Sequence, residues 1–224
     1  MEVILKAEPE PITMDTERTA LVVVDMQNAF CKKGGMMDYW GKLNEPMSNR
    51  IITTCRKSID LVRSKRVPIV YLRMTYGLDV DANLGPDSPF FWKEKGLVAE
   101  RRDPSLKGRF LTPGNWDWEI VDELEPSPQD IIVNKSRFSG FVNTELDSVL
   151  KTRNIKYLVF IGLFTNVCVE STLRDAFSHE YFPVLVSDAC GNIGPDYLQD
   201  ATVWNVTSVF GWVTTTDNLI KVMK

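Results

Sequence analysis

The sequence predicts an α/β protein of three layers, a mostly parallel sheet between two sets of helices. Two observations predict it. Short β-branched apolar runs alternate along the chain with amphipathic stretches of helical period, the pattern that right-handed crossovers build into a sheet covered on both faces. Two of those runs end on a charge, Asp25 and Lys135, and ligands of open α/β sheets bind outside the carboxyl ends of the strands. At 224 residues the chain reads as one domain, 1–224.

Taken in order, residues 1–10 are acidic, contain Pro9 and lack a signal-peptide pattern. Residues 19–27 read as a buried strand ending in Asp25, whose carboxylate could serve a ligand or equally cap a turn. Residues 28–37 read as loop, with Gly34-Gly35. Met47, Ile51, Cys55, Ile59 and Val62 mark one face of a helix over about 44–66, with Cys55 as packing. Residues 67–73 form a second strand. Residues 74–116 are irregular, and a connection this long within a compact domain is usually functional. Its Phe90-Phe91-Trp92 and Trp116-Asp117-Trp118 clusters read as a lid, an oligomer contact or plain loop filling. Residues 130–135 are a third strand, followed by a loop and a helix from Asn143 or Thr144 with Leu146, Val149 and Leu150 on one face. Asn154 suits a left-handed cap.

The next element begins at Tyr157 as a continuous apolar run and passes Gly162. Thr165 or Asn166 can cap the helix that follows, and Val169, Thr172, Leu173, Ala176 and Phe177 give it a buried face. Cys168 falls in its first turn, where unpaired N–H groups and the helix dipole favour a thiolate. A buried free cysteine can also be a small hydrophobe. Residues 182–188 read as a strand, 195–206 as a helix and 209–215 as a last strand.

Composition excludes several classes. The formal net charge is −4, and no basic run carries interleaved aromatics, so no nucleic-acid partner is expected. No apolar run approaches membrane-spanning length. The four cysteines show no Cys-x-x-Cys spacing and read as free thiols in a reducing, cytoplasmic compartment. The single histidine, His179, rules out a multi-histidine metal site. It reads as surface or packing, and Cys31 and Cys190 read as loop or core thiols. No metal or cofactor is expected.

Asp25, Lys135 and Cys168 each follow a predicted strand, and neighbouring strands would bring them together. The chemistry is then coherent. The Lys135 ammonium stabilises a Cys168 thiolate. Asp25 takes the thiol proton and delivers it to a leaving amine. The thiolate attacks a carbonyl to form an acyl-enzyme that water hydrolyses, and backbone N–H groups of the Phe164–Cys168 turn hold the oxyanion.

Three motifs, Leu-Val-Val-Val-Asp25-Met-Gln-Asn, Lys135-Ser-Arg-Phe-Ser-Gly-Phe and Gly162-Leu-Phe-Thr-Asn-Val-Cys168-Val-Glu-Ser-Thr, occur in the order seen in the isochorismatase-like cysteine hydrolases. The chain resembles that superfamily from about residue 11 onward. The resemblance implies a six-stranded parallel sheet, an Asp25-Lys135-Cys168 triad, a cis peptide at Leu163–Phe164 and an oxyanion hole from the N–H groups of Phe164 and Cys168. Gly114-Asn-Trp-Asp117, Ser139-Gly-Phe141 and Phe210-Gly-Trp-Val213 are most similar to the ureidoacrylate amidohydrolases of pyrimidine breakdown. This implies cleavage of a small ureido or carbamoyl amide, with water as co-substrate, in a homo-oligomer. Gln27, Phe30, Met74, Tyr76, Arg137, Phe138 and Asn166 are the expected substrate-binding residues, with Arg137 suited to a substrate carboxylate. The segment 73–79 departs from that group's polar pattern through Met74 and Leu78. A more apolar amide or ester is therefore an alternative substrate, and a non-hydrolytic binding protein a second alternative. The absence of histidine there sets the chain apart from the nicotinamidases, and Cys168 sets it apart from the true isochorismatases.

Overall fold

The computed structural model describes residues 1–77 and 85–223. An antiparallel pair, β1 (Glu2–Leu5) and β2 (Ile12–Asp15), opens the chain. The acidic composition of these residues gave no hint of it, because pairing alternates Leu5, Ile12 and Met14 inward while the charges stay in water. The central sheet uses β3 (Thr19–Val24), β4 (Ile69–Met74), β5 (Ile131–Lys135), β6 (Tyr157–Leu163), β7 (Phe182–Gly191) and β8 (Trp212–Thr214). Their order is β5-β4-β3-β6-β7-β8, and every neighbouring pair is parallel. The predicted three-layer α/β fold with six parallel strands is the one found.

Successive residues of β3 alternate between two cores. Leu21 and Val23 face the side covered by the helix of Glu45–Ser64, through Ile51, Cys55 and Ile59, and by that of Thr216–Met223, through Leu219. Ala20, Val22 and Val24 face the helices of Leu146–Thr152 and Glu170–Ser178. All six β3 residues are buried, as a strand covered on both faces requires. In chain order the helices are α1 (Asn28–Cys31), α2 (Met36–Tyr39), α3 (Glu45–Ser64), α4 (Pro89–Lys93), α5 (Lys95–Arg102), α6 (Leu146–Thr152), α7 (Glu170–Ser178), α8 (Tyr197–Asn205) and α9 (Thr216–Met223).

Asn44 caps α3 by accepting the Met47 N–H at 3.1 Å, and Asn154 adopts the expected left-handed backbone, φ 54°. Other expectations need correcting. Residues 28–37 are not a plain loop but carry α1 and the start of α2, because Asn28 Nδ2 donates to Trp116 O at 2.8 Å and anchors the turn from outside. The stretch 206–210 is a wide helical turn continuing α8, so the last strand starts only at Trp212. Neither Thr165 nor Asn166 caps α7; residues 165–169 form a π-type turn whose preceding residue is Phe164. Phe177, expected on the buried face of α7, is 46% exposed.

The chain runs outward from β3 to β4 and β5, then returns to place β6 on the other side of β3. The switch point of the sheet therefore lies between the carboxyl ends of β3 and β6, where ligands bind in folds of this kind. Asp25 directly follows β3, and Cys168 lies in the turn that follows β6.

Candidate active site

At the switch point the chain bends sharply. Asp25 has φ 50°, a left-handed conformation that costs an L-residue about 1–2 kcal/mol. Its N–H donates to Leu72 O at 2.9 Å, and its carbonyl accepts the Gln27 N–H at 2.8 Å. Gly162 in β6 has φ 118°, and a Cβ there would lie 2.2 Å from Val24 O, so only glycine lets β6 close on β3 at this level. The Leu163–Phe164 peptide is cis.

The three candidate catalytic side chains meet. Lys135 Nζ donates to Asp25 Oδ2 at 2.7 Å and to Arg137 O at 3.2 Å, and lies 3.7 Å from Met74 Sδ. Asp25 Oδ1 accepts the Met74 N–H at 3.1 Å. The charges of Asp25 and Lys135 both act on the Cys168 thiol. The strands are not all neighbours, because β4 separates β5 from β3. The length of the lysine side chain closes the gap, passing Met74 on the way. Exposure is 1% for Asp25, 0% for Lys135 and 6% for Cys168.

Burial sets the electrostatics. Desolvation raises the Asp25 pKa above the ordinary carboxylate value, against the opposing pull of Lys135. Desolvation disfavours the Lys135 ammonium, but Asp25 and Cys168 outweigh it and its pKa rises. The Cys168 thiol is pushed well above its ordinary value, first by burial and next by the Asp25 charge. A resting thiolate, expected from the helix start, is therefore disfavoured. The low-dielectric site with a carboxylate beside the sulfur favours the thiol, and a neutral thiol next to an Asp–Lys ion pair leaves the cluster without net charge.

A cavity of about 180 Å³ opens onto Cys168, small beside the roughly 300–1,000 Å³ of drug-sized ligand sites. Its wall is largely apolar: Phe30, Met36, Met37, Met74, Phe138, Phe164, Val167 and Ile193, with Lys93, Glu94 and Lys95 adding charge. The Phe30 ring meets that of Phe164 edge-on at 5.8 Å, and Phe90 packs on Phe138 at 4.7 Å. Of the expected substrate-binding residues, Phe30, Met74 and Phe138 line this cavity.

The other four do not. Gln27 is fully engaged, with Nε2 donating to Met74 O at 2.9 Å and Trp118 O at 2.8 Å while Oε1 accepts the Met74 N–H at 2.8 Å. It clamps β4 to the 116–118 turn. Asn166 exchanges two hydrogen bonds with the Ile193 backbone, both 3.0 Å, and so holds a wall residue rather than facing the cavity. Arg137 donates to Ser136 O and Oγ and lies over Phe90, 5.1 Å from its ring centroid. Tyr76 is buried beneath Gly96. Leu78 lies outside the described residues.

Sequence reasoning missed Met36, Met37, Val167, Ile193 and, above all, Glu94. Glu94 is 5% exposed. Burial pushes its pKa up to about 7, although the N–H groups of Gly96, Leu97 and Lys95 and the charge of Lys135 hold it down in part. The available signal was an acid directly ahead of a helical stretch, at a position where Ser, Thr, Asp or Asn is usual.

The chain resembles several known proteins. The isochorismatase domain matches residues 19–218. The ureidoacrylate amidohydrolase RutB of Rhizobium rhizogenes is 47% identical over 216 residues, covering 96% of this chain and 87% of that protein. A cysteine hydrolase from Pseudomonas syringae pv. phaseolicola superposes with a TM-score of 0.77 at 29% identity, covering 94% of each chain. An N-carbamoylsarcosine amidase from Thermoplasma acidophilum gives a TM-score of 0.66 at 28% identity, covering 89% of this chain and 97% of that one.

Proposed function

The chain belongs to the isochorismatase family, and from that premise we propose that it is a cysteine amidohydrolase cleaving a small ureido amide of the ureidoacrylate type. That it hydrolyses amide C–N bonds follows from its likeness to the ureidoacrylate amidohydrolases. The finer reading is carried by one observation: Lys135 Nζ bonds Asp25 Oδ2 at 2.7 Å, the charges of both act on the Cys168 thiol, and Cys168 lines a small cavity.

In this reading Asp25, made more basic by burial, takes the Sγ proton as the sulfur attacks the ureido carbonyl carbon. The negative charge moves to the carbonyl oxygen, held by the N–H groups of Phe164 and Cys168. Protonated Asp25 returns its proton to the nitrogen of the leaving enamine, the C–N bond breaks, and a carbamoyl thioester remains on Cys168. Asp25 then deprotonates a water that attacks the thioester, releasing carbamate and restoring the thiol. Lys135 stays an ammonium throughout. Its charge is needed because Asp25, Cys168 and the oxyanion all carry negative charge at some stage. The same reading takes the protein as a cytoplasmic homo-oligomer in pyrimidine degradation.

The apolar wall favours a second reading, hydrolysis of a more apolar small amide or ester, since eight hydrophobic side chains line the cavity. Ammonia release from ureidoacrylate, compared with hydrolysis of apolar amides and esters, separates the two. Turnover of ureidoacrylate that disappears in Cys168→Ala supports the first reading, and turnover of apolar substrates alone replaces it with the second.

A further inference from the structure

Glu94 is the one carboxylate lining the cavity among the described residues, and the triad chemistry gives it no task. Capping accounts for part of it. Its Oε2 accepts the N–H of Gly96 at 2.7 Å and of Leu97 at 3.4 Å at the start of α5. Capping does not account for the rest. Short side chains are the usual caps, whereas here a glutamate holds that place and lines the same cavity as Cys168. A cap also has no need to be 5% exposed, and burying a carboxylate to that degree is costly unless it is matched by partners. The charge of Lys135 acts on Glu94, so the carboxyl lies within electrostatic reach of the triad.

The remainder of the wall explains what such a group could recognise. Apart from Glu94, the described side chains on the wall are apolar, the lysines 93 and 95, and the reacting thiol. A ureido group presents N–H donors on both sides of its carbonyl. In a cavity walled by Phe, Met, Val and Ile those donors would lose water and, among the described residues that line it, meet a side-chain acceptor only in Glu94. Lys93 and Lys95 flank it but are exposed, with Lys95 Nζ 5.2 Å from the Trp40 ring centroid, so they set a positive charge at the solvent side.

The geometry points to Glu94 as the specificity-determining residue of this cavity: its carboxylate accepts the terminal N–H of the ureido group, while Lys93 and Lys95 receive the anionic tail at the mouth. The inference builds on the ureido reading and adds a residue and a selection rule to it. A site built to bond an N–H discriminates strongly against the isostere that lacks it.

The test uses two substrates that lose the same C–N bond and differ only in NH2 against CH3: 3-ureidoacrylate and 3-acetamidoacrylate. Steady-state kinetics are measured for wild type, Glu94→Ala and Glu94→Gln, with thermal unfolding run alongside. In Glu94→Ala, kcat/KM for the ureide falls about 10–100-fold, mainly through KM. Turnover of the acetamide stays within a few-fold, and the substrate preference collapses. Glu94→Gln keeps a cap and an acceptor oxygen and retains most of the preference. Equal loss on both substrates in Glu94→Ala, with Glu94→Gln normal, reduces Glu94 to a helix cap and overturns the inference. An unchanged preference in both variants overturns it as well. Wild type that turns over neither substrate instead removes the ureido reading, and this inference with it.

Discussion

The site has two walls built by different rules, and the triad reaches the cavity through Cys168. One is the carboxyl edge of the sheet, where Asp25, Lys135 and Cys168 stand on or beside strands in an unbroken parallel ladder. There each charge has a partner, and no triad side chain is more than 6% exposed. The other is residues 89–95 between β4 and β5, two short helices joined at Glu94, with Phe90 leaning on Phe138 and Lys93 and Lys95 in solvent. The ladder fixes the first wall to the register of the backbone. The second hangs from local caps and ring contacts. A reaction that needs groups held to a fraction of an ångström belongs on the first wall, and a substrate preference, which needs only one well-placed acceptor, can sit on the second.

The largest expected effect tests whether chemistry is confined to the sheet edge. Cys168→Ala should reduce amide hydrolysis to background, a loss of at least about 10⁴-fold in kcat, read by ammonia release. Residual activity above about one per cent would mean that the reacting group lies elsewhere. Next comes Lys135→Met, which leaves Asp25 buried beside no cation and should cost about 3–5 kcal/mol in urea unfolding. Adding Asp25→Asn removes the stranded charge. The double variant should recover most of that stability and none of the activity, which separates holding the site from running it.

The two walls also differed in how far they could be read from sequence. Asp25 and Lys135 were legible because a charge ending a β-branched run is conspicuous, and Cys168 because a strand-to-helix switch marks it. Burial was not legible. A helix start favours a thiolate at Cys168, whereas the structure buries it beside a carboxylate, and desolvation raises the thiol's pKa. Gln27 and Asn166 were correctly placed near the site and wrongly aimed, since neighbours in sequence share a location but not a direction. Glu94 had no periodicity to mark it, because α4 and α5 are too short for a pattern to emerge and their caps come from residues next door.

Glu94 gives the second wall a stability signature. Its carboxyl, pushed up to about 7, binds its proton more tightly folded than unfolded. Stability is therefore lost as pH rises from the unfolded value near 4.5 through about 7, and the deficit persists above. A shift of this size corresponds to about 3 kcal/mol. Glu94→Gln should be more stable than wild type by up to that amount at pH 8 and nearly equal to it near pH 4.5, measured by urea unfolding across pH. Asp117, raised to about 6 by burial, contributes a slope of the same sign and remains in both proteins. A variant with the wild-type slope would mean that Glu94 carries no buried charge. The gain, if found, means that the second wall gives up stability for a carboxylate that the fold does not require.

The smallest effect falls where the walls meet. Asn166 belongs to the turn that carries Cys168, yet its amide holds Ile193, a residue of the cavity wall, through two 3.0 Å bonds. Its amide donates to the Ile193 carbonyl and its oxygen accepts the Ile193 N–H, so Asn166→Ala removes both at once. Each such bond contributes about 0.5–1.5 kcal/mol, but only the 192–194 loop depends on them, so global stability should change by about 1 kcal/mol at most. The triad loses no partner, because none of its hydrogen bonds passes through Asn166. KM should therefore rise a few-fold while kcat stays near wild type, and the Ile193 amide should exchange with solvent faster. A fall in kcat with KM unchanged would show that the loop is tied to the reacting sulfur, and that the division between a wall for chemistry and a wall for recognition is drawn in the wrong place.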